Sequence, residues 1–384
     1  MRRLRPRHAA GPARHVVLLR PEASLASGLE AVLCCGAEVL CSLPLVHGLA
    51  CTCPGPAALA ALTGHPAVQA LEPDLRLPLP RARPGPRPGL PGQGLPWGLR
   101  RIGLPRAWQR SRGQGVRVAV IDTGADWTHP DLAPRVRGGV NVLAPGEPPA
   151  DDNGHGTHVA GIVAAADNAT GVVGVAPGAD LYVVKAFDRN GSAALVDLLQ
   201  ALQWCADYGM QVINMSFGQP ASSPALARAV AALEDRGVVL VAAAGNGGPR
   251  RPVDFPARYP HVLAVTATDP RDTLARSSSR GPEVDLAAPG TGIVSLWPGG
   301  RLRSLSGTSM AAAHVAGAAA LLLAAEPGLT PGEVRDRLRA TAEPLPGLGP
   351  GEQGAGLVRP DRALAAAVPV GADGDMAGEG QGIQ

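Results

Sequence analysis

Aromatic side chains are scarce. Three Phe, three Tyr and five Trp make up 3% of the 384 residues. With 45% hydrophobic residues the chain can still bury a sizeable core, and that core must be aliphatic. Lysine is all but absent: Lys185 is the only one, and every other basic side chain is Arg. Net charge is small as well. A formal +3 does not argue for a nucleic-acid partner. Cysteine is missing from most of the chain, since Cys34, Cys35, Cys41, Cys51 and Cys53 cluster near the start and only Cys205 follows. The main body therefore has no internal disulfide framework. The five early thiols, spaced C-C-x5-C-x9-C-x-C, fit no standard zinc pattern and read as buried or incidental. Long hydrophobic runs are lacking too. The longest, 311–325, is broken by His314, is too short to span a bilayer and reads as a buried helix. No secretory signal is visible, because the basic residues 1–14 are followed only by a strand-length apolar patch at 16–19.

What is present is an alternation of strands and helices. Residues 15–79 read as a small α+β module, with strands at 16–19 and 68–74 and helices at 24–33 and 57–62. Ser24 is the expected N-cap of the first helix, and Gly64 ends the second. Residues 80–92, rich in Pro, Gly and Arg, form a linker on which proteolysis should concentrate, near Gly92. Beyond it, strands are expected at 117–121, 180–186, 211–215, 238–244 and 261–267. Helices are expected at 156–166, 193–208 and 224–236. A capping box at Thr330-Pro331-Gly332-Glu333 opens a late helix. The alternation predicts an α/β fold with a doubly wound, mostly parallel sheet, whose sites lie at the carboxyl ends of strands. Asp122, Ser216 and Asn246 fall there. Residues 368–384, small and Gly-rich, read as a disordered tail.

Three stretches carry chemistry. Val116-Arg117-Val118-Ala119-Val120-Ile121-Asp122-Thr123-Gly124 is a buried strand that delivers a carboxylate. Asn153-Gly154-His155-Gly156-Thr157-His158 opens a small-residue helix with a histidine. Ser306-Gly307-Thr308-Ser309-Met310-Ala311 places a serine where a glycine turn enters an Ala-rich helix, with its own N–H unpaired. Alone, each residue has a plainer reading: Asp122 as a turn carboxylate, His155 as a structural histidine, Ser309 as an N-cap. Together, and in the order Asp, His, Ser, they resemble the subtilisin-like (subtilase) serine proteases over about 93–364.

The resemblance implies a catalytic triad of Asp122, His155 and Ser309. His158 and His314 are then scaffold. The oxyanion would be held by the Asn246 side chain and the Ser309 N–H. Extended polypeptide substrates would lie between Ser216-Phe217-Gly218 and Gly191-Ser192, with Ala243 and Gly245 beside them. Asp254 matches the floor of the first specificity pocket, where it either favours a basic residue or faces solvent. Asp151 and Asp152 read as a solvated loop with a possible basic preference of their own. A calcium site is implied at Gln93, Asp131 and Asn168 with the carbonyls of Ala166, Thr170 and Val172, Gln93 being released by cleavage of the linker. Asn168-Ala169-Thr170 is also a glycosylation sequon.

By the same resemblance, 1–14 is a basic arm, 15–79 a propeptide that inhibits its own enzyme, 80–92 the processed linker, 93–367 the catalytic domain and 368–384 the tail. No catalytic cofactor, nucleic acid or membrane span is expected, and the enzyme is expected to be a monomer. Ala313 stands where the family usually has proline, which leaves an acyl-transferring or esterase-like enzyme as an alternative, beside an inactive peptide-binding protein. Relatives with propeptides are usually exported, while no export signal is visible, so secretion and intracellular residence both stand.

Overall fold

The computed structural model of the chain describes residues 13–80, 82–85 and 93–366. The expected cut near Gly92, the tail at 368–384 and most of the basic arm lie outside the described residues.

The N-terminal module is a four-stranded antiparallel sheet in the order Glu38–Leu43, Gly48–Cys53, Ala13–Leu19, Val68–Pro73. Helix Leu25–Cys34 is capped by Ser24, whose hydroxyl accepts the Ser27 N–H, and helix Pro56–Thr63 stops at Gly64. The run Val16-Val17-Leu18-Leu19 is apolar without alternation because this sheet is covered on both faces. Val17 and Leu19 pack with Ala31, Val32 and Leu62 inside the module. Val16 and Leu18 point the other way, into the core of the main domain. The two strands at 38–43 and 48–53 are not legible in the sequence, and they carry Cys41, Cys51 and Cys53. The Cys51 and Cys53 thiols lie 4.0 Å apart and are not bonded.

The main domain is built on a seven-stranded parallel sheet. Its order is Leu286–Pro289, Val262–Thr268, Val239–Ala243, Val212–Met215, Arg117–Asp122, Asp180–Lys185, Val136–Asn141. Alternate residues of each strand go to opposite layers. Val118, Val120, Val239 and Val241 meet helices His155–Ala164 and Thr308–Ala325 on one face. Ala119, Ile121, Leu240 and Ala242 meet helices Leu195–Asp207 and Pro224–Glu234 on the other. The doubly wound parallel sheet expected from the sequence is the observed architecture.

Three differences matter. Both edge strands, Val136–Asn141 and Leu286–Pro289, are too polar or too short to read from sequence. The helix expected from Ala193 begins at Leu195, because Ser192–Ala194 is a strand paired with Arg76–Pro78, 116 residues earlier at the Ser192–Arg76 offset. Helix Thr308–Ala325 is 18 residues long and apolar enough by composition to cross a membrane, yet it is 89% buried inside the domain, so it is core. Its Ala-rich sequence suits that place. Small side chains let a helix buried all round approach its neighbours closely.

Candidate active site

The chain enters the sheet at its centre. From Arg117–Asp122 it goes to the edge strand Val136–Asn141, comes back to Asp180–Lys185 between those two, then crosses to the other side of Arg117–Asp122 with Val212–Met215. That reversal opens a crevice at the carboxyl ends of two adjacent strands. Ile121 is in register with Met215, so Asp122 and Ser216 leave the sheet side by side.

Asp122 is fully buried. Its carboxylate accepts from His155 Nδ1 at 2.8 and 2.9 Å and from the Thr123 N–H at 2.8 Å. His155 is the first residue of its helix, held there by a tight loop. Gly156 packs so closely on the Gly124 carbonyl that a Cβ would come within 2.0 Å of it. Burial alone would hold the His155 pKa down. The Asp122 charge, its hydrogen bond and, further off, Asp151 overcome that, and the pKa ends above its usual value. With Nδ1 committed to Asp122, Nε2 is the atom left for chemistry, and it has no hydrogen-bond partner among the described residues.

Ser309 is the second residue of its helix, so its N–H has no intrahelical acceptor. Its hydroxyl donates to the Ser216 carbonyl at 3.1 Å, and the Ser216 hydroxyl donates back to the Ser309 carbonyl at 3.1 Å. Asn214 Nδ2 fixes that second hydroxyl at 2.8 Å. Ser309 thus rests on the strand end next to Asp122 rather than on the imidazole. The two helices that carry His155 and Ser309 pack against each other. Asn246 follows strand Val239–Ala243, and its Oδ1 accepts both the Thr308 N–H and the Thr308 hydroxyl at 3.1 Å. The amide is thereby oriented from the residue next to Ser309.

The acidic loop is solvated at Asp152 and Asn153, as expected, but it is tied down. Asp151 accepts from the Thr123 hydroxyl, from the Asn153, Gly154 and Thr157 N–H groups and from the Thr157 hydroxyl, at 2.6–3.0 Å. It ties the Asp122 turn to the start of the His155 helix. Asp152 is paired at 2.7 Å with Lys185, whose ammonium also reaches the Thr123 carbonyl. The single lysine is a brace under the site, and nothing in the sequence pattern marks it as one. His158 Nε2 lies between the Ile293 and Arg303 carbonyls, and His314 Nδ1 donates to the Met310 carbonyl. Burial pulls their pKa values to about 3 and about 4, so both are neutral scaffold at ordinary pH.

Of the expected substrate residues, Phe217 is fully buried against Phe187, and Ala243 is fully buried within its strand, so only their backbones face the cleft region. Asp254 lies between the two walls. A Cβ on Gly245 would fall 2.3 Å from its Oδ2, and one on Gly218 would fall 2.7 Å from its Cβ. Its carboxylate has no side-chain partner among the described residues. Burial raises its pKa, with Arg251 opposing. On the opposite wall, Gly191 and Ser192 are already occupied. The module's last segment, Arg76–Pro78, adds antiparallel to Ser192–Ala194, and the Leu79 N–H donates to the Gly191 carbonyl at 2.7 Å. Further on, Arg83–Pro84 pairs with Leu305 and Ser306.

The six expected calcium ligands fall in one place. Asp131 is 1% exposed, and its oxygens accept only from neutral donors: Asn168 Nδ2, the Thr170 hydroxyl and the Val172 N–H. A buried carboxylate without a counter-charge is costly. Gln93 bridges the Ala166 carbonyl and the Ala169 N–H. Asp131 is the only carboxylate here, and no group of three His, Cys, Asp or Glu side chains converges among the described residues. The rest of any cation shell would be amide and carbonyl oxygen, which suits a hard ion.

A buried carboxylate–imidazole pair and a helix-mouth serine, gathered at the switch point of a parallel sheet, define an α/β enzyme of the hydrolase type. The family model of the subtilase family matches residues 113–363. The chain belongs to that family and is a serine-type endopeptidase. It is 46% identical over 272 residues to a thermostable alkaline protease of Halalkalibacterium halodurans, covering 71% of this chain and 74% of the relative. It is also 46% identical over 255 residues to subtilisin Savinase of Lederbergia lenta, covering 66% of this chain and 93% of that one. Among solved structures it resembles fervidolysin of Fervidobacterium pennivorans, described as a keratinolytic enzyme related to subtilisin. The TM-score is 0.84 at 29% identity, and the match covers 94% of this chain and 62% of that protein's length.

Proposed function

We propose that the chain is a self-inhibited zymogen of an endopeptidase that cleaves extended polypeptides, with Ser309 as nucleophile, His155 as general base and Asp122 as its orienting carboxylate. The observation that carries this reading is the Asp122–His155 pair at 2.8 Å with Nε2 left unpartnered beside the Ser309 helix. For the reaction the Ser309 hydroxyl must leave the Ser216 carbonyl and turn toward Nε2. His155 then takes the proton as Oγ attacks and returns it to the leaving amine. The Ser309 N–H and the Asn246 amide receive the oxyanion. An organophosphate should label one residue, Ser309, and stop hydrolysis. Labelling elsewhere, or activity that survives it, removes the assignment. Ala313, in the Ser309 helix where the family usually has proline, keeps an acyl-enzyme that yields to amines as the second reading. Aminolysis against hydrolysis of one peptide ester measures that share.

The N-terminal module acts as the inhibitor because it fills the cleft as a substrate would. Leu77 is fully buried, and Leu79–Pro80 and Ala82 line the space beside His155. Two of its carboxylates seat it. Glu72 accepts the Ala225 N–H and Asp74 the Val196 N–H, each at the start of a helix of the main domain. The first cut is placed next to Arg81, the basic residue between Pro80 and Ala82, and a second near Gly92.

Asp254 supplies the basic preference. Arginine should be favoured over leucine before the cleaved bond, and Asp254→Asn should lower that ratio about tenfold in kcat/KM. The preference needs the ionised carboxylate. Because burial raises its pKa, the preference should fade on acidification sooner than for an ordinary aspartate. Equal cleavage after Arg and Leu in the parent enzyme would refute it.

Asp131, Gln93, Asn168 and the carbonyls of Ala166, Thr170 and Val172 would hold calcium, which supplies charge compensation for Asp131 and takes no part in the reaction. Chelation should lower the melting temperature by roughly 5–10 °C. An unchanged melting curve rules the site out.

A further inference from the structure

We propose that Arg303 selects a substrate carboxylate on the leaving-group side of the cleaved bond. This inference rests on the proteolytic reading above. Strand Arg301–Ser306 pairs antiparallel with Ile293–Trp297, and the Arg303 guanidinium lies over the Trp297 ring, 4.2 Å from its centroid. Trp297 in turn abuts Gly154, the residue before His155. A Cβ there would meet the indole at 2.2 Å. Arg303, Trp297, Leu305 and His155 line one cavity of about 270 Å³, and no acidic side chain among the described residues lines it. The guanidinium makes no hydrogen bond or ion pair among the described residues. Stacking fixes its plane and leaves its N–H edge for a carboxylate.

The direction of the chain says which substrate residues meet it. Pro84 is opposite Leu305 and Arg83 is opposite Ser306. Gly85 faces Ser304, whose Oγ would be 2.3 Å from an added Cβ. Side chains alternate along an extended strand, so Arg83 and Gly85 face one way, and Ala82 and Pro84 face the cavity with Arg303 and Leu305. At the described positions that face it, Ala82 and Pro84, the chain's own linker therefore offers Arg303 only neutral side chains. A protein substrate with Asp or Glu at those alternate positions satisfies an arginine that the linker leaves unpaired, and after the cut it outcompetes the linker.

The test uses the processed enzyme and a peptide series with arginine before the cleaved bond. Asp, Ala or Lys is placed at each of the first four positions after the bond, and mass spectrometry fixes the cut. Asp at one alternating pair of positions should raise kcat/KM roughly threefold to fivefold over Ala, mostly through KM, and Lys should lower it. The ratio of Asp to Ala within each variant is the readout, so a general loss of rate does not confuse it. Arg303→Gln should flatten the ratio, Arg303→Glu should invert it, and high salt should shrink it. Equal rates across the series, or a ratio unchanged in Arg303→Glu, overturn the proposal while proteolysis stands. Failure to cleave any peptide or to label Ser309 overturns the proteolytic reading instead.

Discussion

Ser309→Ala should lower kcat on a peptide substrate about 10⁶-fold, a magnitude known for subtilisin rather than deduced from this chain. The physical reason lies in the partners. His155 Nε2 has no hydrogen-bond partner among the described residues, and the hydroxyls beside Ser309 are committed elsewhere: Thr308 to Asn246 Oδ1, and Ser216, held by Asn214 at 2.8 Å, to the Ser309 carbonyl. Binding should be spared, because the substrate contacts proposed at Ser192–Ala194 and Ser216-Phe217-Gly218 would be made by backbone. If the chain's own active site makes the proposed cut next to Arg81, the same variant should stay full length on expression. Rapid measurement of kcat and KM, with intact mass, checks both. Hydrolysis within tenfold of the parent, or a normally processed Ser309→Ala chain, would mean that another group does the chemistry.

The second large effect belongs to Asn246. Asn246→Leu should lower kcat about 10²–10³-fold and leave KM nearly unchanged, the range established for the oxyanion asparagine of subtilisin. An amide that meets charge only as the carbonyl becomes tetrahedral contributes to the transition state and not to the ground state. Asn246 also accepts from Thr308 through Oδ1, so the leucine variant loses an anchor as well as a donor. Asn246→Asp separates the two. It keeps the acceptor for Thr308 and puts a carboxylate where the amide donor stood. If catalysis depends on the donor, Asp fails as badly as Leu. If it depends on the Thr308 anchor, Asp restores the rate.

These two residues show what sequence can and cannot reach. Asp122 at the end of an apolar run, His155 and Ser309 at helix mouths and Asn246 after a strand are legible because each sits where regular structure stops. Local pattern marks those boundaries. The parallel sheet is legible for the same reason: runs such as Val118-Ala119-Val120-Ile121 are buried on both faces and cannot be surface strands. Lys185 under the Asp122 turn, Asp151 locked between two loops and Ser216 paired with Ser309 are not legible. Their partners are 62, 28 and 93 residues away in sequence.

The strand Ser192–Ala194 is the clearest case. Periodicity starts a helix at Ala193, while the family resemblance makes Gly191-Ser192 an edge for an added strand; the pairing with the module's Arg76–Pro78 extends that edge to Ala194. By itself the sequence determined the sheet, the layers of helix on each face and the ends of elements where polar residues wait, because periodicity and turn chemistry are local. Tertiary structure alone decided which charges are braced, that Arg303 stacks beside the cleft, and that the module's own tail lies in it. Those depend on hydrogen bonds and ring contacts between segments that only the folded chain brings together.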